Sequence, residues 1–373
     1  MKKLICAILA LMLLVSSVIT VSAAESTATI TTKNSNVGYS ASRIGDDTVY
    51  NTIAENVLYA DGTIKNDSYT SDANGGIVNM KALNSGTDID NFAINADALD
   101  NKYFYITDAE GMIVFSKVVA LGDSVKVSEN EYCFKDKVVY LVADIDFAGS
   151  SDKMKPIGEN GEHYGFVNNG AKYETTDYGT QPHDIKSARE FFSGKFDGRG
   201  HKIIDLDMAA PYLDTYKSGN PVALFKVLRG DATIQNLVID NTCSFINKAS
   251  ASTASGVKTA GNGQGNATAS LAAFVFADND AKYGDSKSIN ITNVASYATV
   301  NGGTSTNNNN STYRNDVAGG LVAFLNSNIS ATYGANIQYC TFSGEITSAG
   351  STAGGIVGVV HTGKVYAIVV YII

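Results

Sequence analysis

The feature that most constrains this chain is a five-residue unit that occurs twice, Ala318-Gly319-Gly320-Leu321-Val322 and Ala353-Gly354-Gly355-Ile356-Val357. A second pattern, Ile-x-x-apolar, recurs as Ile203/Leu206, Ile234/Leu237, Ile291/Val294 and Ile337/Cys340. Upstream of each lies an aromatic-containing run ending in Phe196, Phe225, Phe274 or Phe324. Self-similarity of this kind marks units too small to bury an apolar face alone, which gain a core by stacking on copies of themselves. The isoleucines are 31, 57 and 46 residues apart. A stack tolerates that irregularity, because each turn closes its own core and surplus residues leave as loops. The surplus falls in 159–190, 244–270 and 301–316, the last holding the asparagine run 307–310. These stretches are rich in Gly, Asn, Ser and Thr, and loops projecting from one stack commonly gather on one face and carry binding.

Between the loops the apolar residues come in short β-branched runs: 138–142, 203–206, 223–227, 234–239, 271–276, 289–294 and 321–324. They lack strict alternation, as strands buried in parallel stacks do. No Trp, four Pro and 35 Gly argue against a helical enzyme and for many short strands and turns, an all-β chain. One helix is expected ahead of the strands. Thr107 followed by Glu110 is a capping-box signal, and Met112, Ile113, Phe115, Val118 and Val119 recur at roughly helical spacing, as in a short amphipathic helix. Residues 25–101 are polar, with short apolar patches such as 77–80, and read as a strand-poor region of unknown role.

The N-terminus sets the expected compartment. Lys2 and Lys3 precede an apolar run at 4–21 and the small residues Ser22, Ala23 and Ala24, the pattern of a cleaved secretory signal peptide over residues 1–24. Its removal takes two lysines and no acids, moving the formal charge from −9 to −11. An acidic chain without a basic run is a poor nucleic-acid binder. Three cysteines would remain, Cys133, Cys243 and Cys340. One bridge plus a free thiol, or three free thiols, both stay open.

The ordered segments resemble the GLUG-type repeat family of secreted and cell-wall bacterial proteins, which also occurs as a non-catalytic region of some IgA-cleaving proteases. The matching pieces are the helix from Thr107, VVYLVADIDF (138–147), PIG (156–158), FSGKFDGRGHKIIDLDM (192–208), ALFKVLRGDATIQNLVI (223–239) and CTFSGEIT (340–347) between the two Gly-Gly units. The resemblance spans 102–373. It implies a right-handed parallel β-helix, a solenoid whose N-terminal end is covered by the helix, with no enzyme chemistry of its own. Covering that end makes physical sense, because bare strand edges invite pairing with other chains. Gly319, Gly320, Leu321, Gly354, Gly355, Ile356, Asp197, Gly198, Ile234 and Leu237 are the positions it marks as structural repeat. Two departures stand out. Met154 and Lys155 replace the usual Trp before PIG, and a long insertion separates PIG from FSGKFDG. The sequence ends soon after the second Gly-Gly unit, at the apolar strand 365–373, without a cap or wall-anchoring signal, which leaves a truncated product as one reading.

Candidate sites compete with plainer readings. Asp144 and Asp146 could hold calcium or act as paired acids, but strand-end carboxylates ordinarily satisfy turn backbone groups. Asp278, Asn279 and Asp280 resemble part of a calcium loop without its glycine and distal glutamate. Asp197, Gly198 and Gly200 make a turn in which glycine allows positive φ, with Arg199 and His201 decorating it. Arg229-Gly230-Asp231 matches an integrin-binding tripeptide at a place where the repeat needs a tight connection. His163, His183, His201 and His361 are scattered, and Cys340 sits at an apolar position, as an inert buried thiol would. Tyr164, Tyr173, Tyr178, Tyr283 and Tyr313 could stack on sugars. The expectation is therefore a non-catalytic, adhesin-like or structural module. It has no catalytic, cofactor or metal residue and no stable membrane span after cleavage, and it binds glycans or host and envelope surfaces. The rivals are a polysaccharide lyase or glycosidase on the same fold, or an accessory region of a larger surface protease.

Overall fold

The computed structural model describes residues 77–121, 134–158, 191–209, 221–247, 267–277, 288–302, 317–327, 334–348 and 352–362. The first strands in chain order are β1 (Ile77–Asn79), β2 (Tyr103–Ile106), β3 (Val138–Leu141), β4 (Ile145–Asp146), β5 (Lys195–Asp197), β6 (Lys202–Ile204) and β7 (Asp207–Ala209). One circuit follows as β8 (Pro221–Val222), β9 (Phe225–Arg229), β10 (Thr233–Ile239) and β11 (Ser244–Ile246). It is repeated as β12 (Ala267–Ala269), β13 (Ala272–Ala277), β14 (Ile289–Ser296) and β15 (Thr299–Asn301). A third circuit holds β16 (Val317–Gly319), β17 (Val322–Ser327), β18 (Ala335–Gln338), β19 (Thr341–Phe342) and β20 (Ile346–Thr347). After it come β21 (Thr352–Gly354) and β22 (Val357–Thr362).

The strands form four sheets, and each full circuit gives a strand to every one. The orders are β7–β11–β15–β20, β8–β12–β16–β21 and β9–β13–β17–β22. The fourth is a longer sheet, β1–β2–β3–β5–β10–β14–β18, which β4, β6 and β19 also join. Every strand-to-strand ladder described is parallel; examples are β10 on β14, β13 on β17 and β16 on β21. The fold is thus mostly β and built of parallel sheets. Parallel pairing needs a long connection between partners, and here one whole circuit is that connection.

Register shows which sequence matches were true columns. Gly319 faces Gly354 and Val322 faces Val357, so the two Gly-Gly units lie one on the other. Ile234, Ile291 and Ile337 form one column, with Leu237 beside Val294. Ile203 does not belong to it: its neighbours are Ile145 and Ile239, while Phe196 faces Ile234. The turn between β5 and β6 holds two more residues than the matching stretch of β10, which displaces the pattern. Similarly, Phe225 faces Ala272, whereas Phe274 faces Val227 and Phe324. A further copy of the Gly-Gly unit is Thr268-Ala269-Ser270-Leu271-Ala272, in register with 318–322 but without glycine.

Apolar side chains from all four sheets meet in one core. In the β9–β13–β17–β22 sheet, β9, β13 and β17 as far as Leu325 are buried on both faces, while the outermost strand β22 is partly exposed. Val275 and Leu325 point into the main core, while Val227, Phe274, Phe276 and Phe324 form a second cluster. Burial on two sides explains apolar runs without alternation.

The helix α1 (Ala109–Ala120) lies after β1 and β2 and carries the chain to β3, which pairs with β2. Its N-cap is Asp108, whose carboxylate accepts from Gly111 N–H at 3.0 Å. Thr107, expected as the start, instead donates its hydroxyl to Asp108 at 3.1 Å. The helix is not amphipathic: Met112, Ile113, Val114, Phe115 and Val118 are all buried. Phe115 packs edge-on to Phe134 and Phe192, at centroid distances of 5.1 and 5.5 Å, and stacks on Phe196 at 5.9 Å. The sheet also begins earlier than residue 102, because β1 pairs with β2 and the 3-10 helix Met80–Leu83 buries Met80 and Leu83 in the same core. Residues 1–76, including the signal-peptide segment, and 363–373 lie outside the described residues.

Phe115→Ala should lower the unfolding free energy by about 3–5 kcal/mol, the usual range for removing a fully buried phenylalanine, read by urea denaturation. Asp108 supplies a pH test. Burial pushes its carboxyl up, but the Lys81 ammonium at 2.8 Å and the Gly111 N–H outweigh that, leaving it below its ordinary value of 3.8. A depressed folded pKa stabilises above the unfolded value, and the gain is lost as pH falls through the folded one. Wild type should therefore lose its stability advantage over Asp108→Ala, about 1 kcal/mol at neutral pH, as pH drops below the carboxylate range. Parallel urea midpoints from neutral to acid pH would measure this.

Candidate functional site

Of the side chains singled out by sequence, Asp197 and Arg199 lie where β5, β10 and β14 bend, beside amide side chains that the sequence does not mark. Asn236 (φ 56°) and Asn293 (φ 58°) hold left-handed backbone at the bend of β10 and β14, a conformation asparagine tolerates better than most residues. The Asn293 Nδ2 donates to Asn236 Oδ1 at 2.9 Å, and the Asn236 Nδ2 donates to Asp197 Oδ1 at 2.9 Å. Asp197 also accepts from Gln235 Nε2 at 2.8 Å and from Arg199 N–H at 3.0 Å. The result is a ladder of side-chain hydrogen bonds running across circuits and ending on a carboxylate with no solvent exposure. Burial pushes that carboxyl above its usual range against the opposing pull of Asn236, Arg199 and Gln235. A second amide ladder runs beside it, where Asn336 Nδ2 donates to Asn290 Oδ1 at 2.9 Å.

Glycine at 198 answers to crowding and not to φ. A Cβ there would lie 2.5 Å from the Asn236 carbonyl oxygen and 2.9 Å from Leu237 Cα, while the positive angles of this turn belong to Arg199 (55°) and Gly200 (82°). The same holds at the sheet corner. A Cβ on Gly320 would sit 1.9 Å from the Gly355 oxygen and 2.4 Å from the Phe342 ring, and one on Gly354 would sit 2.0 Å from the Val357 oxygen. Leu321 and Ile356 turn into the core beside them, with Leu321 N–H donating to Ile356 O at 3.1 Å.

The remaining candidates are spread over turns. Asp144 accepts from Lys202 N–H at 3.0 Å and lies 3.1 Å from the buried His201 Nδ1. Asp146 accepts from Ala148 N–H at 2.8 Å. Both carboxylates are thus tied to turn backbone. Arg229 of the Arg-Gly-Asp tripeptide is 1% exposed, its guanidinium 5.4 Å from the Phe191 ring centre. Burial pushes the Cys243 thiol up to about 11 and the Cys340 thiol up to about 12, so both stay protonated and unreactive near neutral pH. Cys133, Asp278, Asn279, Asp280, His163, His183, Tyr164, Tyr173, Tyr178, Tyr283, Tyr313 and the His361 side chain lie outside the described residues. Among the described residues no group of three or more His, Cys, Asp or Glu is placed to hold a metal ion, and no helix is long and apolar enough to cross a membrane.

The strand ends also show which sheets each connection joins. Between the sheet of β7 and the sheet of β8 the connections are 210–220, 247–266, 302–316 and 348–351, all at the same corner of successive circuits. The stretch 244–270 has the composition of one loop, but its two ends are β11 and β12. The connection 159–190 departs elsewhere, between Ile157 and Phe192, which bridge to Phe225 and Leu228 of β9.

No family model and no curated protein matches this chain. It is similar to a solved structure described as a "putative immunoglobulin A1 protease" from Bacteroides ovatus, with 18% identity over 73% of this chain and 76% of that one and a TM-score of 0.34. At that score the likeness carries no argument about fold or activity.

The ladder is open to direct test. Asn236→Ala should cost on the order of 3 kcal/mol, because a buried carboxylate and the Asn293 amide each lose a partner. Asn236→Gly should cost about 1 kcal/mol less, since glycine holds φ 56° without strain. Chemical denaturation of the two variants separates the hydrogen bonds from the backbone term.

Proposed function

We propose that the chain is a GLUG-type right-handed parallel β-helix, exported to the cell surface or medium, that serves as a non-catalytic binding module for glycans or for host and envelope surface molecules. The observation that carries this reading is the shared corner from which connections of 4 to 20 residues leave successive circuits. Strands on either side of that corner keep register while the segments between them vary in length. A solenoid that lets insertions accumulate at one place typically uses that place for recognition. The segments are polar and carry aromatic and amide residues suited to sugars, among them Tyr212, Tyr216, Asn307 and Tyr313.

The fate of the chemical candidates supports binding over turnover. Asp197 is consumed by the ladder, Arg229 lies under Phe191, and Asp144 and Asp146 hold turn backbone. Sugar cleavage asks for two carboxylates facing one groove at a fixed separation, and these four groups serve the scaffold instead.

The test is a glycan and host-protein array probed with the chain from Glu25, beside turnover assays on polyuronides and host glycans. Binding without product is the expected outcome. It should disappear when 303–316 is replaced by a short Gly-Ser link while the far-UV circular dichroism stays β-rich. Release of unsaturated uronates or new reducing ends would overturn the proposal in favour of an enzyme.

A further inference from the structure

We infer that Tyr339 is a sugar-stacking residue which, with the amides beside it on the outer side of β14 and β18, binds a neutral glycan. The inference rests on the reading of the chain as a glycan-binding module and names a contact outside the shared corner.

The backbone at this position asks for a different residue. Gln235, Thr292 and Gln338 stand in register, and the residue after each is left-handed: Asn236 at φ 56°, Asn293 at 58° and Tyr339 at 55°. Asparagine meets that demand with little strain in two circuits, whereas for a bulky side chain the conformation is an outlier. Tyrosine also brings to a stop the run of amides that passes from Asn293 through Asn236 to Asp197. At 56% exposure its ring gains little from burial in return. A residue that breaks the rule its own column follows, without a gain in burial, marks function more often than folding.

The surroundings select the ligand. Gln235 and Asn236 both donate to Asp197, so the left-handed column and the column before it carry side chains on the same side of the sheet. Ile291 and Ile337 turn into the core. That leaves Asn290, Thr292, Asn336 and Gln338 on the outer side, Gln338 exposed and the other three half-buried. The Asn336 Nδ2 donates to Asn290 Oδ1 at 2.9 Å, which fixes that amide pair. An exposed aromatic ring flanked by amides and a hydroxyl suits a pyranose, whose C–H face packs on the ring while its hydroxyls bond to the amides. No formally charged residue lies within 288–301 or 334–344, in a chain of net charge −9. A uronate or sialate would meet repulsion with no cation to offset it, so the ligand is uncharged.

Surface plasmon resonance of the full chain on immobilised neutral glucans, mannans and galactans, beside polygalacturonate and sialylated glycans, tests this. Binding to at least one neutral glycan and to neither anionic class is expected. Tyr339→Asn should raise that dissociation constant at least tenfold, about 1.4 kcal/mol, while moving the urea midpoint upward, and Tyr339→Phe should keep the binding. A tyrosine that serves only the fold would leave binding unchanged or lower the midpoint in Tyr339→Asn, and either result overturns the inference. Preference for the anionic glycans overturns it as well. If Tyr339→Asn binds like wild type while replacement of 303–316 abolishes binding, this contact fails and the binding module stands. A wild type that binds neither glycans nor host proteins ends both.

Discussion

Everything in this stack depends on the peptide groups of one circuit bonding to those of the next. The strands are short, three to eight residues in each of the four-strand sheets and the longer one beyond a few two-residue pieces, and none could hold its place alone. Parallel pairing fixes the vertical neighbour of every residue. Identical demands therefore fall on each column: apolar at Ile234, Ile291 and Ile337, and left-handed backbone at Asn236 and Asn293. The side-chain ladder ending on Asp197 adds a polar lock to the backbone one, and it sits at a bend, where a slip of one residue would bury the wrong face. A buried carboxylate is costly unless fully bonded, so the three donors around Asp197 tie the conformation of its turn to the arrival of β10.

What was legible in the sequence was what repeats. The paired Gly-Gly units and the Ile-x-x-apolar column were readable because the same stereochemical demand recurs with the same residues. Where a demand is met by different residues, the signal vanishes. Ala269 and Ser270 fill the place of Gly319 and Gly320, so that copy of the unit passed unseen although the strands after it were read. Ile203 matched the pattern by type while the longer turn at 198–201 moved it to another column, a displacement that only pairing partners reveal. The helix was visible through its apolar spacing. Its cap was misplaced by one residue, because Thr107 and Asp108 are both good caps, and the Lys81 ammonium favours the carboxylate.

The candidate site was legible as composition and not as geometry. Polar segments could be found by their Gly, Asn and Ser content, but nothing in their sequence says that 210–220, 247–266, 302–316 and 348–351 share a corner. That follows from the strand order alone. Asp197, Arg229 and Asp144, which residue type alone would also allow as chemistry, were legible as turn and connection residues, whereas their bonding partners could not be read from the sequence.

The two-faced burial of β13 and β17 bears on how such a chain can change over time. A sheet with one wet face accepts substitutions at every second residue. Here Phe274, Phe276 and Phe324 on one side and Val275 and Leu325 on the other leave β13 and β17 no permissive side. Variation is driven off these strands and into the connections, where length is already free. Such a scaffold can therefore diversify what it displays while remaining almost fixed in what holds it up, and unrelated segments could be exchanged at its open corner without disturbing the circuits that support them.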